Sequence, residues 1–293
     1  WFPSSHIGSV PDHWGNNYFD DTYRWNGKRK KFTGYCTDIF FDHAIDWMKR
    51  RSAAGEPFFA YLPTNTPHGP FYAPDEEIEM MEEKVANAEL PRMTPRSKSN
   101  LVRYLAMIRN IDTNMGRLMA FLDKTGLAEN TILLFMTDNG STFGHAYYPA
   151  GMRGRKTHLR EGGHRVPFII RWPAKVEAGS KWDQPVCQTD LVSTFAEMLG
   201  KRLPENAGED SDSFLDVLMG AKETEPRVAM VHHGISGRYA LREGKWKLVM
   251  EDGRKNKREL YDLSTDPGET DNVAIDHPDL ERTLTAKLTD LIQ

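Results

Sequence analysis

Apolar residues are distributed along this chain in two alternating styles, short unbroken runs and longer stripes at helical spacing. Phe58-Phe59-Ala60-Tyr61-Leu62, Thr131 to Thr137 and Val166 to Trp172 are runs of strand length, and their near-continuous apolarity predicts strands buried on both faces. Between them lie amphipathic stretches. Asp38 is a fitting N-cap for a helix carrying Ile39, Phe40, Ala44, Trp47 and Met48, with Lys49, Arg50 and Arg51 at its C-terminal end. The longest stripe is Leu101, Tyr104, Leu105, Ile108, Ile111, Met115, Leu118, Met119 and Leu122, closed by Gly126. Asp190 is placed to cap a further helix through Leu191, Phe195, Met198 and Leu199 to Gly200. Strands alternating with helices predict an α/β domain with a mostly parallel sheet.

The pattern differs at both ends. Residues 1 to about 35 mix aromatics (Trp14, Tyr18, Phe19, Tyr23, Trp25) with Gly, Asn and Asp at no clear period, and are expected to form an irregular surface segment. Beyond residue 225 come short strand-like pieces, Val228–Val231, Arg238–Arg242, Trp246–Met250 and Glu259–Asp262, then a helix holding Leu280, Leu284 and Leu288. That is the pattern of a small antiparallel sheet with one helix. The expected division is a large α/β domain over 1–225 and a small α+β domain over 226–293.

Composition narrows the function classes. The 293 residues carry 38 Lys+Arg against 42 Asp+Glu, so the whole chain offers no field for nucleic acid or an anionic membrane. No run approaches the roughly 18 consecutive apolar residues of a membrane span. The two cysteines, Cys36 and Cys187, provide neither a disulfide framework nor a cysteine zinc module.

Three segments carry candidate chemistry. Asp138-Asn139-Gly140 ends the run Thr131–Thr137, where ligands gather in open α/β sheets, and its two side-chain oxygens suit calcium or magnesium. The same tripeptide is also a common turn. Arg153 to Pro167 sets Arg153, Arg155, Lys156, Arg160 and Arg165 among glycines; an ammonium and Gly-rich backbone N–H groups suit an anionic tetrahedral group. Glu161 is placed to hold one of these cations. His68, in Asn65-Thr66-Pro67-His68-Gly69-Pro70, is of the type most readily poised to move a proton near neutral pH.

In this order the three segments resemble the type I sulfatases of the alkaline phosphatase superfamily. The motifs are Pro-His-Gly-Pro after a run, Asp-Asn-Gly after the next, and Lys156-x-x-x-x-Glu161-Gly162-Gly163-x-Arg165-x-Pro167. Tyr239 to Val249, Glu259-Leu260-Tyr261-Asp262-Leu263 and Asp266-Pro267-Gly268-Glu269 look like that family's small terminal domain. The resemblance implies a mixed sheet flanked by helices and hydrolysis of a sulfate ester on an aryl compound or carbohydrate. It implies attack by a formylglycine made from Cys or Ser in Cys/Ser-x-Pro-x-Arg, beside one divalent cation, usually calcium, with magnesium as a substitute. Carried over by motif, Asp138 and Asn139 become metal ligands. Lys156 becomes the sulfate-binding lysine, and His68 the histidine that contacts sulfate and assists the leaving oxygen. His145 is expected to line the substrate pocket, and His232-His233 open a small domain that reaches over it.

The chain departs from the family pattern in what it lacks. Neither Cys36-Thr37-Asp38-Ile39 nor Cys187-Gln188-Thr189-Asp190 fits the nucleophile motif, Trp1-Phe2-Pro3-Ser4-Ser5 has no Arg, and the N-terminal Asp pair that binds the metal in that family is missing. Gly244-Lys245-Trp246-Lys247 stands in the small domain and lacks the family's following His. The resemblance therefore implies a C-terminal portion that needs its N-terminal region to complete the site, from an enzyme that is exported to the periplasm or secreted. Two other readings remain, a phosphodiesterase or phosphonate hydrolase of the same superfamily and a non-catalytic fragment. Asn139 beside Asp138, where two-metal enzymes favour Asp-His, favours a single hard cation.

Overall fold

A computed structural model describes residues 17–221, 227–235, 237–252 and 257–292, so Trp14 and the Trp1–Ser5 stretch lie outside the described residues. The chain forms two compact units, residues 1–128 and 129–293.

The first unit begins with a hairpin where an irregular segment was expected. Strands β1 (Thr22–Trp25) and β2 (Lys28–Lys31) pair antiparallel, with Tyr23 opposite Lys30 and Arg24 opposite Arg29. Asn26 and Gly27 both take positive φ (48° and 81°), the requirement of a two-residue turn that matches strand twist. Asn-Gly between Trp25 and Lys28 was the available sequence signal, masked by the absence of alternating apolar residues on β2.

Helix α1 (Cys36–Ala53) starts earlier than expected, with Tyr35 at its N-cap. Asp38 sits in its first turn and instead accepts hydrogen bonds from Asn110 Nδ2 (2.9 Å) and Asn114 Nδ2 (2.7 Å). Both asparagines lie on the buried face of α3 (Pro95–Lys124), which Thr94 caps through Ser97 N at 3.1 Å. That face also holds Leu101, Val102, Ala106, Met107, Leu118 and Leu122; Ile108 and Met119 of the expected stripe are exposed. Helices α1 and α2 (Asp75–Ala86) pack on α3. The run Phe58–Leu62 is not a strand: it has no ladder partner among the described residues, and Phe59 and Tyr61 are 77% and 72% exposed.

In the second unit β3 (Leu133–Met136) pairs with β4 (Phe168–Arg171), from Leu133 opposite Arg171 to Met136 opposite Phe168. The pairing is antiparallel, as is every strand pairing among the described residues, which corrects the mostly parallel sheet. Between β3 and β4 the chain makes a loop excursion containing the short helix α4 (Glu161–His164), then returns alongside β3. Helices α5 (Asp190–Met198) and α6 (Leu215–Leu218) follow. Thr189 is the N-cap of α5; Asp190 is its first residue and accepts from Cys187 N at 2.6 Å.

The terminal sheet matches its expectation. Strands β5 (Met230–Gly234), β6 (Arg238–Glu243), β7 (Trp246–Asp252) and β8 (Lys257–Asp262) form an antiparallel meander, followed by α7 (Pro278–Leu291). Alternation along the strands gives this sheet two different faces. Leu241, Leu248 and Leu260 pack on Leu284 and Leu288 of α7. Ala240, Val249 and Tyr261 pack on Leu159, just before α4, so the sheet braces the loop excursion within the same unit.

Candidate active site

The His68 loop is built within the first unit. Tyr18 Oη donates to the carbonyl of His68 at 2.6 Å, Tyr35 Oη donates to that of Tyr72 at 2.8 Å, and His68 N donates to Asn65 O at 3.0 Å. Buried Thr66 is paired with Thr37 on α1, their hydroxyls 3.1 Å apart. The His68 side chain is exposed, and its Nδ1 lies 2.8 Å from Gly69 O. A carbonyl only accepts, so Nδ1 carries a proton, and Nε2 is the ring nitrogen left to take up a proton and pass it on.

The other expected residues lie in the second unit. Asp138 is exposed and Asn139 half-buried at the end of β3. Ser141 Oγ accepts from Gly144 N at 2.7 Å and fixes the turn bearing His145, whose Nδ1 lies 3.2 Å from Thr142 O. Lys156 is half-buried, and among the described residues it has no ion-pair partner. Next to it Thr157, a β-branched residue, is held at φ 77°. Such backbone strain persists only where the surroundings over-determine it, and it gathers at ligand sites.

Three glycines lock these segments together. Gly140 N donates to Gly163 O at 2.9 Å, and a Cβ on Gly140 would lie 2.0 Å from Gly162 O. A Cβ on Gly162 would meet Gly154 O at 2.6 Å, and one on Gly163 would meet His158 O at 2.2 Å. The backbones of the Asp-Asn-Gly turn, the Lys156 loop and α4 therefore approach more closely than any side chain permits. The structure thus brings together the loops of Asp138, Asn139 and Lys156 in one unit, and describes His68 in the other.

Behind the Lys156 loop lies a cluster that the sequence did not reveal. Lys247, on β7, is fully withdrawn from solvent with Glu161 and Glu269. Its Nζ lies 2.8 Å from Glu161 Oε1, 2.9 Å from Glu269 Oε1 and 3.0 Å from His164 Nε2. Glu269 Oε2 also accepts from Glu161 N at 2.7 Å, and Arg153 Nη1 donates to Glu269 O at 3.0 Å. Arg160 pairs with buried Glu259, which accepts from Tyr261 Oη at 2.8 Å. Glu161 does hold one of the expected cations, Arg165 at 3.7 Å, and pairs more closely with Lys247, which is distant in sequence.

Burial resists ionisation of Glu161, yet Lys247 outweighs it and the carboxyl titrates below its ordinary range. Burial, with Lys247 beside it, pushes His164 down to about 4. His232 stacks on His164, ring centroids 3.7 Å apart, and is likewise held far below the usual imidazole value by burial, with His164, Lys247 and Arg242 adding to it. This is a buried support in which burial and the nearby cations disfavour the charged form of both imidazoles. His232 packs within that support.

The Asp138–Asn139 oxygens fit a hard cation in kind but not in number. Calcium takes six to eight oxygens, and no group of three or more His, Cys, Asp or Glu suited to a metal occurs among the described residues.

The family described as Sulfatase matches residues 6–201, two thirds of the chain. The chain belongs to the sulfatase family. The family described as N-sulphoglucosamine sulphohydrolase, C-terminal, matches residues 155–293. An N-acetylgalactosamine-6-O-sulfatase of Bacteroides thetaiotaomicron is 33% identical over 80% of this chain and 47% of its own length. N-acetylgalactosamine-6-sulfatase of Canis lupus familiaris is 28% identical over 64% of this chain and 34% of its own. The chain thus spans about half the length, or less, of these curated relatives. Among solved structures, a sulfatase of Bacteroides thetaiotaomicron glycosaminoglycan metabolism superposes with TM-score 0.70 at 31% identity, over 87% of this chain and 54% of that one. Ps i-CgsB reaches 0.81 at 24% identity, over 98% and 69%, and shares the alkaline-phosphatase-like α/β fold.

Proposed function

We propose that this chain contributes to hydrolysis of a sulfate ester on a sulfated carbohydrate. The supporting observation is the glycine-locked convergence of the Asp138-Asn139 turn and the Lys156 loop, in a chain of the sulfatase family. Lys156, half-buried and without a carboxylate partner among the described residues, neutralises a sulfate oxygen. His68, its ring oriented by Gly69 O, contacts the sulfate and manages the proton at the leaving alcohol oxygen through Nε2. His145 lines the sugar side, with Nε2 free of its tie to Thr142 O.

The nucleophile in this reading is a formylglycine outside this sequence, whose upstream region also supplies the remaining metal ligands. Calcium, or magnesium in its place, would be held partly by Asp138 and Asn139, and would supply charge neutralisation of the sulfate. The complete protein is placed in the periplasm or outside the cell, and this chain by itself is inactive.

Sulfate release from N-acetylgalactosamine-6-sulfate and from an aryl sulfate tests the reading, on this chain and on a protein carrying the upstream region. Release by the longer protein alone supports the reaction and the external nucleophile. Release by this chain alone refutes the external nucleophile. Faster cleavage of a phosphonate ester than of any sulfate ester, with two metals per site, establishes the phosphonate hydrolase alternative, whose fold is shared by the phosphonate monoester hydrolase of Agrobacterium radiobacter at TM-score 0.64 and 22% identity.

A further inference from the structure

The β1–β2 hairpin concentrates positive charge. Between Thr22 and Phe32 stand Arg24, Lys28, Arg29, Lys30 and Lys31 with no acidic residue, a local charge of +5 in a chain of net −4. All five are exposed. Alternation sorts them by face. Tyr23 is buried, so its face turns inward; there Lys30 lies over the rings of Trp25 (5.5 Å) and Phe32 (4.9 Å). Arg24, Arg29 and Lys31 occupy the outer face, with Arg24 directly opposite Arg29.

Like charges paired across strands oppose hairpin formation. In another basic run, at the end of α1, the charge is neutralised locally, since Arg50 pairs with Asp46 and Arg51 with Glu56. Among the described residues, Lys28, Arg29 and Lys31 have no carboxylate within ion-pair distance. The stem of the hairpin is also tied to a candidate catalytic loop. Cys36 N donates to Tyr18 O at 2.8 Å, Tyr18 and Tyr35 flank the hairpin, and their hydroxyls hold the carbonyls of His68 and Tyr72.

We propose that the outer face of this hairpin is a docking surface for a linear sulfated polysaccharide, binding chain sulfates on the unit that carries His68. The cations supply the affinity, and their two-strand array suits a polymer with repeated anions more than one small anion. The choice of a sulfated glycan over other polyanions rests on the proposed reaction; the charged surface itself does not.

Binding of fluorescent dextran sulfate to the 293-residue chain, read by polarisation, tests the proposal without any turnover. Uncharged dextran, hyaluronan and single-stranded DNA serve as comparison polymers. The expected result is binding of dextran sulfate that weakens on the order of tenfold as salt shortens the screening length. Arg29→Glu/Lys31→Glu is expected to weaken it at least tenfold. Lys201→Glu/Arg202→Glu, the same charge change at two exposed residues outside the hairpin, should leave it within twofold. Unchanged melting temperatures exclude misfolding as the cause. Equal losses in the two variants, no binding, or binding of DNA as tight as that of dextran sulfate would each overturn the proposal. Binding with no sulfate release even from the protein carrying the upstream region overturns the proposed reaction and leaves the docking surface standing.

Discussion

Lys247 Nζ sits 2.8 Å from Glu161 Oε1, and neither side chain has any contact with solvent. Residues 86 positions apart are thereby joined where the small terminal sheet meets the loop of Lys156. Removing two carboxylates and an ammonium from water is costly, and only their mutual geometry offsets it. The arrangement contributes more to fixing one position of α4 than to net stability.

Breaking one member should therefore be expensive, while replacing all three should not. Lys247→Met strands Glu161 and Glu269 as buried charges and is expected to cost roughly 3–5 kcal/mol. The triple variant Lys247→Met/Glu161→Gln/Glu269→Gln should recover most of that. Urea denaturation of both proteins checks it; a triple variant as unstable as the single one would contradict the account.

Acid should loosen the same region well above the carboxylate range. His164 is pushed down to about 4 in the folded state, from an ordinary value of 6.5, by burial, then Lys247, with Arg242 adding to it against Glu161 and the Leu159 carbonyl. Below pH about 6.5 the unfolded chain gains a proton that the folded chain refuses, so stability present above 6.5 is lost as pH falls toward 4. The contribution is on the order of 3 kcal/mol. His232, depressed for related reasons, acts in the same sense, and Glu161 extends the loss below its ordinary 4.5. Denaturation midpoints at pH 7.5, 6 and 5 should fall in that order. His164→Gln should flatten the slope, and an unaltered slope would rule His164 out as its source.

The glycine contacts make a sharper demand than the ion cluster. Gly140→Ala places a methyl 2.0 Å from the Gly162 carbonyl oxygen, which belongs to backbone and cannot swing aside. The bond from Gly140 N to Gly163 O must then open. Faster amide exchange at residue 140, with a loss of about 1–3 kcal/mol, is the expected result. Gly116→Ala, on an α3 position with open space around it, is the control and should be neutral or slightly stabilising.

How much of this was legible beforehand depends on the range of each signal. Helices α3 and α7 and the strands of the terminal sheet followed from local periodicity, and the loops of His68, Asp138 and Lys156 from short motifs. Lys247 was not legible as a buried residue, because nothing near Trp246 or Leu248 shows that its strand partner faces Glu161 rather than water. Phe58–Leu62 read as a buried strand because apolar content reports a preference for burial, not the presence of a ladder partner. The hairpin failed for the opposite reason: its turn was correctly spelled in Asn26-Gly27, but its strands are charged.

Lys156 and His68 should separate from all these structural residues by what their replacement leaves intact. Neither is fully buried, and Lys156 has no ion-pair partner among the described residues. Lys156→Ala and His68→Ala are thus expected to melt within a degree or two of the parent, unlike Lys247→Met. In the sulfate-releasing protein that carries the upstream region, Lys156→Ala should lower kcat/KM on the order of a hundredfold, as loss of a charge on a developing anion does. His68→Ala should lower kcat by a similar factor for a poor alcohol leaving group, and much less for a nitrophenol, which departs without a proton. The ratio of those two losses is the decisive measurement. Equal losses on both substrates would assign His68 to sulfate binding alone, with the proton supplied elsewhere.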